Sequence, residues 1–427
     1  MRGIRFLHSQ RAGSVMPLVM LSIVISLATG AGLLTLGRMV RVRAVRTATE
    51  GSARCAADAG LAKAMYEMNQ KLMSGWSAYN LPREYRQALP QCDATYSFVV
   101  YKVGILLKSI LDHSDLATTL NLPGLSGGDY IVRSIGRCGQ SQKIVSGVLR
   151  LQGRGEYGVL VQDLMSLKPG TLVDGMDSSD PTRADVPLEI GTTSTKRDKV
   201  VLNKGVVVDG DVLVGPGGDP DVVIKDTGAT TGERYPMIED PEFLTIPPPP
   251  TLIDRGKINV HGKTIKIDPK DSGTYDSINL KNGKKPAILE ITKGEVVLYV
   301  TGDINLGQSC EIKVAKGASL SLYLDGNMKA GADSGFNNEN TPPNLKIWGK
   351  TEGSQKIELN AKSEYFGQLY APVAEVVARA KSDLYGAFTA KKFEMKAGGN
   401  LFYDGALRKV DENDQGVRFV LKRWREL

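Results

Sequence analysis

The sequence predicts an α+β protein that is mainly β, in three parts: a long N-terminal transmembrane and stem helix, a small antiparallel sheet, and a C-terminal parallel β-helix (β-solenoid). Three observations predict it. Ser14 to Gly37 is an uncharged run of 24 residues. The apolar spacing then changes from a helical period to short alternating runs after about residue 75. Near the end, "AKSEYFG" at Ala361, "AKSDLYG" at Ala380 and "AGGNLFY" at Ala397 repeat at offsets of 19 and 17 residues, close to one turn of a stacked β array.

The formal charge of +7 is confined to the N-terminus. Residues 1–54 hold eight arginines and one acid, Glu50, and the remaining chain balances 46 basic against 46 acidic residues. The basic residues therefore flank the apolar run, where they meet anionic headgroups. The neutral body argues against a nucleic-acid partner.

Residues 1–13 read as a basic leader, and 14–75 as a membrane segment continuing into a stem helix. The run from Ser14 through Pro17, Leu18, Leu21, Ile25 and Leu33 to Gly37 is long enough to cross a ~30 Å hydrocarbon core. The lipid bilayer is thus the first expected partner. Small residues at Ala28 and Gly30 would suit a cleaved signal peptide starting at Ala31. Against that, the apolar run passes beyond that point and no proline follows from Arg38 to Ser74. An unbroken helix over this span would be ~90 Å long. Ser52, Ala56, Ala59, Ala62, Tyr66 and Leu72 follow helical spacing and form the expected packing face, with small residues for close approach.

"GSVMPLVMLSIVISLATGAGL" and "AADAGLAKAMYEMNQKL" together resemble the N-terminal region of type IV pilus assembly proteins of the PilX-like, minor-pilin type, over about the first 75 residues. The resemblance implies prepilin-peptidase cleavage between Gly13 and Ser14. It also implies partners among pilin-like subunits and pilus or secretion assembly proteins. One departure stands out. Leu18 occupies the fifth mature position, where major pilins carry a glutamate that pairs with a neighbouring N-terminal amine. Pro17 sits in the first turn, where its missing N–H costs nothing.

Residues 76–154 read as a small pilin-like α/β head. "ATYSFVVYKV" (Ala94–Val103) is a strand, "DYIVRSIGRCGQSQKIVSGVLRLQ" is a hairpin turning near Gly139–Gln142, and "GILLKSILDHSDLATTLNL" between them is helical. Cysteines 55, 92, 138 and 310 lack CxxC spacing, which disfavours zinc and thioredoxin-type sites. For an extracytoplasmic body, Cys92 and Cys138 are the candidate disulfide. The alternative is four buried thiols.

Residues 155–410 read as the β-solenoid, with 411–427 as a tail. β-branched runs such as "GVVVDGDVLVGPGG" and "GEVVLYVTGDINLG" are cut by Gly, Asn and Asp. One such coil cannot bury its apolar face, whereas stacked coils share a continuous core. A β-sandwich is the structural alternative. "VDGMDSSDP", "IPPPP", "NLKIWG" and "FGQLYAPVAEV…LYGAFTAKKFEMKAGGNLFYDGAL" also resemble an uncharacterised bacterial β-repeat domain found downstream of PilX-like N-termini, in which "IPPPP" reads as a hinge.

The expected role is non-catalytic, structural and membrane-anchored. The body would be periplasmic or on the cell surface, held by a single pass of the inner membrane. A polysaccharide-binding or polysaccharide-cleaving β-helix on the same anchor is the competing reading, with a surface glycan as ligand. Cleavage needs two positioned carboxylates, and Asp209, Asp211, Asp303, Asp325, Asp383 and Asp404 are scattered at turns, where Asp commonly bonds its own backbone. The three histidines, His8, His113 and His261, form no motif. No cofactor is expected. The best calcium candidates are Asp174, Asp177 and Asp180 of "DGMDSSD", followed by Asp219 and Asp221 of "GGDPD"; neither set has the EF-hand spacing, and a solvated turn is the competing account. Trp348 and the tyrosines of "EYFGQLYAP" offer a glycan-stacking surface or, as their alternation favours, strand core.

Overall fold

The computed structural model describes residues 16–74, 80–103, 129–183, 186–237, 240–249, 251–336, 341–410, 414 and 417–427. The chain forms two compact units, one of residues 1–150 with 419–427 and one of residues 151–418.

In the first unit, helix α1 (Met16–Ser74) is continuous, as its lack of internal proline demands. An antiparallel sheet follows, in the order Arg83–Ala88, Ala94–Lys102, Tyr130–Cys138, Ser141–Gln152 and Arg418–Glu426. The hairpin is as expected: Cys138 pairs with Ser141 across a tight turn in which Gly139 takes φ of 55°, a conformation glycine adopts freely. The segment "GILLKSILDHSDLATTLNL", with His113, lies outside the described residues, as does most of the 411–416 stretch. The tail is more than a tail, because its last residues supply the fifth strand. Asn69 of α1 holds that strand at both polar groups of Phe419, donating to its carbonyl at 3.1 Å and accepting from its N–H at 2.7 Å.

The face of α1 that packs on this sheet differs from the expected one. The buried residues are Ala53, Ala56, Ala57, Gly60, Leu61, Ala64 and Met68, while Ala62 and Tyr66 are exposed. Close backbone approach decides the rotation. A Cβ on Gly136 would sit 1.9 Å from the Ala53 carbonyl oxygen, and one on Gly60 would sit 2.2 Å from the Ser134 hydroxyl oxygen. Tyr66 has no room at such a contact, whereas Ala and Gly do.

The second unit is one large parallel sheet of 24 strands among the described residues. Its strands align in three ladders, each with a column of apolar side chains in register. One column runs Ile258, Ile278, Ile304, Met328, Ile357, Val376, Phe393, Met165, Val200, Ile224. A second runs from Ile265 through Ile312, Tyr365 and Leu401 to Val208. The third includes Leu298, Leu322, Ile347, Leu369, Phe388, Val159, Ile190 and Val212. All three belong to one buried cluster, with Ile265 packed against its edge.

The order of strands in space is not their order in sequence. Starting at Lys257–His261, the chain advances one ladder step at a time to Asp383–Met395. That strand pairs with Val159–Leu167, the first strand of the unit, from which the sheet continues to Arg234–Pro236. The segment between Pro236 and Lys257 must therefore travel back along the sheet. Ten ladder steps separate Tyr235 from Asp254, which pairs with Thr274, a distance of ~48 Å at the strand spacing. Nineteen residues reach ~59 Å as polyproline II but ~29 Å as an α-helix. The distance calls for an extended chain, and among the described residues the prolines at 247–249 supply that conformation.

The AKS repeat is a stacked turn. Lys362 and Lys381 both have φ of +59° and Gly398 has +69°. The N–H of Lys362 donates to the Ala380 carbonyl, and that of Lys381 to the Ala397 carbonyl. The buried hydroxyls of Ser363 and Ser382 donate to turn carbonyls at 3.1 Å, so the motif satisfies its own polar groups.

Candidate functional site

Two features of the chain have functional geometry. The first is the N-terminal part of α1. Leu18, Leu21, Ile25 and Leu33 are exposed, as are most apolar residues from Met16 to Val45. A Cβ on Gly37 would meet nothing within 4 Å. Pro17 lies in the first turn of the helix, while Gly13 and Ser14 lie outside the described residues. The helix is long and apolar enough to cross a membrane, and its most apolar window is wholly unburied.

The second feature is an aromatic column on the outer side of the third ladder. Tyr299, Tyr323, Trp348 and Tyr370 occupy successive steps in register. They sit outside the main core, in a separate cluster with Ile246, Phe243 and Val297. Phe243 also packs against Leu160, Leu213 and Met237 further along the same face. Residues 241–249 thus form a strap over the column, where a hinge was expected; Pro250 lies outside the described residues. Prolines suit this position because they bring no N–H donor against the aromatic rings. Polar contacts fasten the strap: the Tyr370 hydroxyl donates to the Leu244 carbonyl at 2.9 Å, Arg154 donates to the Glu242 carbonyl at 2.7 Å, and Thr245 and Thr351 share a 2.7 Å hydrogen bond. The Arg154 guanidinium lies 5.3 Å from the Tyr370 ring centre, and burial lowers its pKa.

Beside the strap is an open groove of about 460 Å³, lined among others by Pro247, Tyr299, Tyr323, Asp325 and Trp348. The Tyr299 hydroxyl donates to Asp325 at 2.5 Å, and this bond with burial pushes its pKa up to about 12. Burial does the same to Tyr323 and Tyr370. Trp348 is 2% exposed, so its ring offers no free face for a sugar. Of the aromatics in "EYFGQLYAP", Tyr365 is in the main core and Tyr370 under the strap. Alternation alone could not separate the two, because both positions are buried.

The three aspartates of "DGMDSSD" do not converge. Asp177 is almost fully buried and accepts from the Ser179 hydroxyl and backbone N–H, with Arg183 at 3.6 Å. The Ser179 hydroxyl bond holds its carboxyl below the usual range. Asp180 accepts from Thr182, and Asp174 from the Gly175 N–H. Asp219 caps a short helix through Asp221 N–H. Among the described residues no group of three potential ligands is placed to hold a metal. Other turn acids are similarly occupied: Asp211 accepts from Glu233 N–H, Asp303 from Asn327 N–H, Asp383 from Asn400, and Asp404 from Ser178. His261 is exposed. All four cysteines are free thiols, Cys55 and Cys92 exposed, Cys138 half-buried and Cys310 buried. The expected Cys92–Cys138 bond is thus not formed: the sheet register places Ala94, not Cys92, opposite Cys138.

The profile of a domain family of unknown function, DUF7305, matches residues 254–410. No curated protein matches the sequence. Among solved structures, the competence-associated pilin ComZ from Thermus thermophilus is similar over 89% of this chain and 97% of its own, at 12% identity and a TM-score of 0.33. An ice-binding protein from the Antarctic ascomycete Antarctomyces psychrotrophicus is similar over 60% of this chain and 97% of its own, at 13% identity and a TM-score of 0.24. The DUF3494 domain of Shewanella frigidimarina ice-binding protein_1 is similar over 59% and 95%, at 11% identity and a TM-score of 0.24.

Proposed function

We propose that this chain is a non-catalytic, membrane-anchored, extracytoplasmic pilin-like structural and assembly protein of a type IV pilus or type II secretion-like system, which displays its parallel unit as a rigid β-solenoid. The observation that carries the reading is α1. Its N-terminal part is apolar and exposed, and its C-terminal part packs through Ala and Gly onto an antiparallel sheet. Exposed apolar surface on this scale calls for a cover, which a bilayer supplies before assembly and neighbouring apolar helices supply afterwards. Small residues along such a helix favour close helix packing.

The solenoid reading is supported by the three registered ladders, whose apolar columns continue from step to step. The non-catalytic reading is supported by the occupied turn carboxylates. The body then lies on the periplasmic or outer side of the inner membrane, held by a single pass.

N-terminal sequencing of the protein extracted from membranes tests this. A start at Ser14 is the expected result. A start at Ala31 would mean a secreted protein and would overturn the anchor, while an uncut start would leave an anchor without pilin-type processing. Crosslinking from Leu18 or Ile25 to pilin-like subunits is the companion measurement.

A further inference from the structure

The balanced charge of the body conceals a segregated one. The turns that lead from the first ladder to the second stack along one edge, because each hands a backbone N–H to the next. The Ser309 N–H donates to Ala332, Asp333 to Ala361, Lys362 to Ala380, Lys381 to Ala397, and Gly398 to Pro169. This stacking lines up side chains that the sequence spreads over more than two hundred residues. Lys362 and Lys381 occupy the same position of successive turns, both exposed, and neither has a carboxylate within ion-pair distance among the described residues. Arg379, Lys396 and Lys168 lie beside them. Lys396 and Lys168 share Glu394 at 2.7 and 3.6 Å, and Arg379 shares Glu358 with Lys356. Asp333 is the acid within the turns themselves, in the turn that precedes Lys362.

Beside Lys362 and Lys381 runs an open, shallow groove of about 560 Å³, lined by Ala361, Ala380, Ala397 and Pro169 together with Lys168, Arg379 and Lys396. A small apolar floor with ammonium groups at the rim fits a sugar that carries a carboxylate. The C–H face of the ring lies on the alanines, and the carboxylate meets a lysine. The floor repeats at the strand spacing of ~4.8 Å, close to the length of one pyranose unit. Nucleic acid fits less well. These turns contain no aromatic residue on which a base could stack, and a duplex presents one charge per ~1.7 Å, denser than the cations of this edge.

We infer that the stacked-turn edge of the parallel unit is a docking surface for a linear acidic polysaccharide with one carboxylate per sugar, seated on Ala361, Ala380 and Ala397 and held by Lys362 and Lys381 on the neighbouring turn positions. The assignment is independent of the anchoring role of α1.

The test uses the full chain in detergent and polygalacturonate as the probe, with binding followed by calorimetry at several salt concentrations. The chain should bind the polymer, and more weakly as salt rises. The double variant K362N/K381N keeps a residue that tolerates the positive φ of both positions and should bind at least about fivefold more weakly, as expected for two lost charge contacts. K196Q/K316Q removes the same charge elsewhere on the unit and should bind as the natural chain does. Absence of binding, or equal binding by the two double variants, would overturn the assignment. So would duplex DNA displacing polygalacturonate at equal charge concentration, which would make the edge a nucleic-acid surface.

Discussion

Three glycines of the first unit make a graded test of how α1 sits on its sheet. An alanine at Gly136 would place Cβ 1.9 Å from the Ala53 carbonyl oxygen, 2.4 Å from the Ala57 nitrogen and 3.0 Å from the Ala53 carbonyl carbon. All three are backbone atoms of a helix and cannot rotate away. Restoring ordinary contact means lifting the helix by more than ~1 Å, which opens the interface made by Ala53, Ala57, Gly60 and Leu61. Overpacking costs about 1–3 kcal/mol where side chains can adjust; with backbone on both sides the upper end, ~3 kcal/mol, is expected. At Gly60 the first obstacle is the Ser134 hydroxyl at 2.2 Å, a group that can turn aside, so ~1–2 kcal/mol is expected. Gly51 has nothing within 4 Å, and alanine there should stabilise by up to ~1 kcal/mol through helix propensity. Hydrogen exchange of the amides in Tyr130–Cys138, on the detergent-solubilised full chain, reads the local stability without unfolding the other unit. G136A should exchange fastest, then G60A, with G51A at or below the natural rate. Equal rates for G136A and G51A would refute the close-packing argument, and so would rescue of G136A by A53G, since the clash is with backbone.

Phe393→Ala removes a fully buried ring at the point where Val376 and Met165 from distant parts of the sequence meet. It should cost ~3–5 kcal/mol, measured by denaturant unfolding of the parallel unit. Tyr370→Phe deletes the hydroxyl that donates to Leu244, so the strap should loosen by ~1 kcal/mol; faster proteolysis within residues 241–249 with an unchanged fold is the expected readout. Alkaline pH should release the same region. Tyr299, Tyr323 and Tyr370 are held near 12 in the folded chain against ~10 in the unfolded one. Their contribution is therefore fully present below pH ~10 and is lost as pH rises toward 12, which ultraviolet titration of tyrosine alongside circular dichroism will follow.

Local period was enough to specify the helix, the hairpin and the strand content. An uncharged apolar run whose proline lies in the first turn satisfies its backbone groups as one unbroken helix. Alternation around a Gly-containing turn specifies a hairpin, and β-branched runs cut by Gly specify short strands. The 19- and 17-residue offsets likewise announced stacked turns, since the positive φ at Lys362 and Lys381 is a local device, whereas Ser363 and Ser382 reach carbonyls of the preceding turns, at Gly331 and Asn360. Tertiary structure alone decided the rest. The buried face of α1 was rotated from the expected one because the contact is backbone to backbone, and spacing does not reveal where Cβ atoms are forbidden. The insertion of Val159–Leu167 next to Asp383–Met395 made residues 241–249 a strap, since a chain that must return ~48 Å along its own sheet has to be extended. The same stacking turned a neutral composition into a basic edge. Net charge is a sum over sequence, whereas a binding surface depends on which side chains the ladder register brings into line.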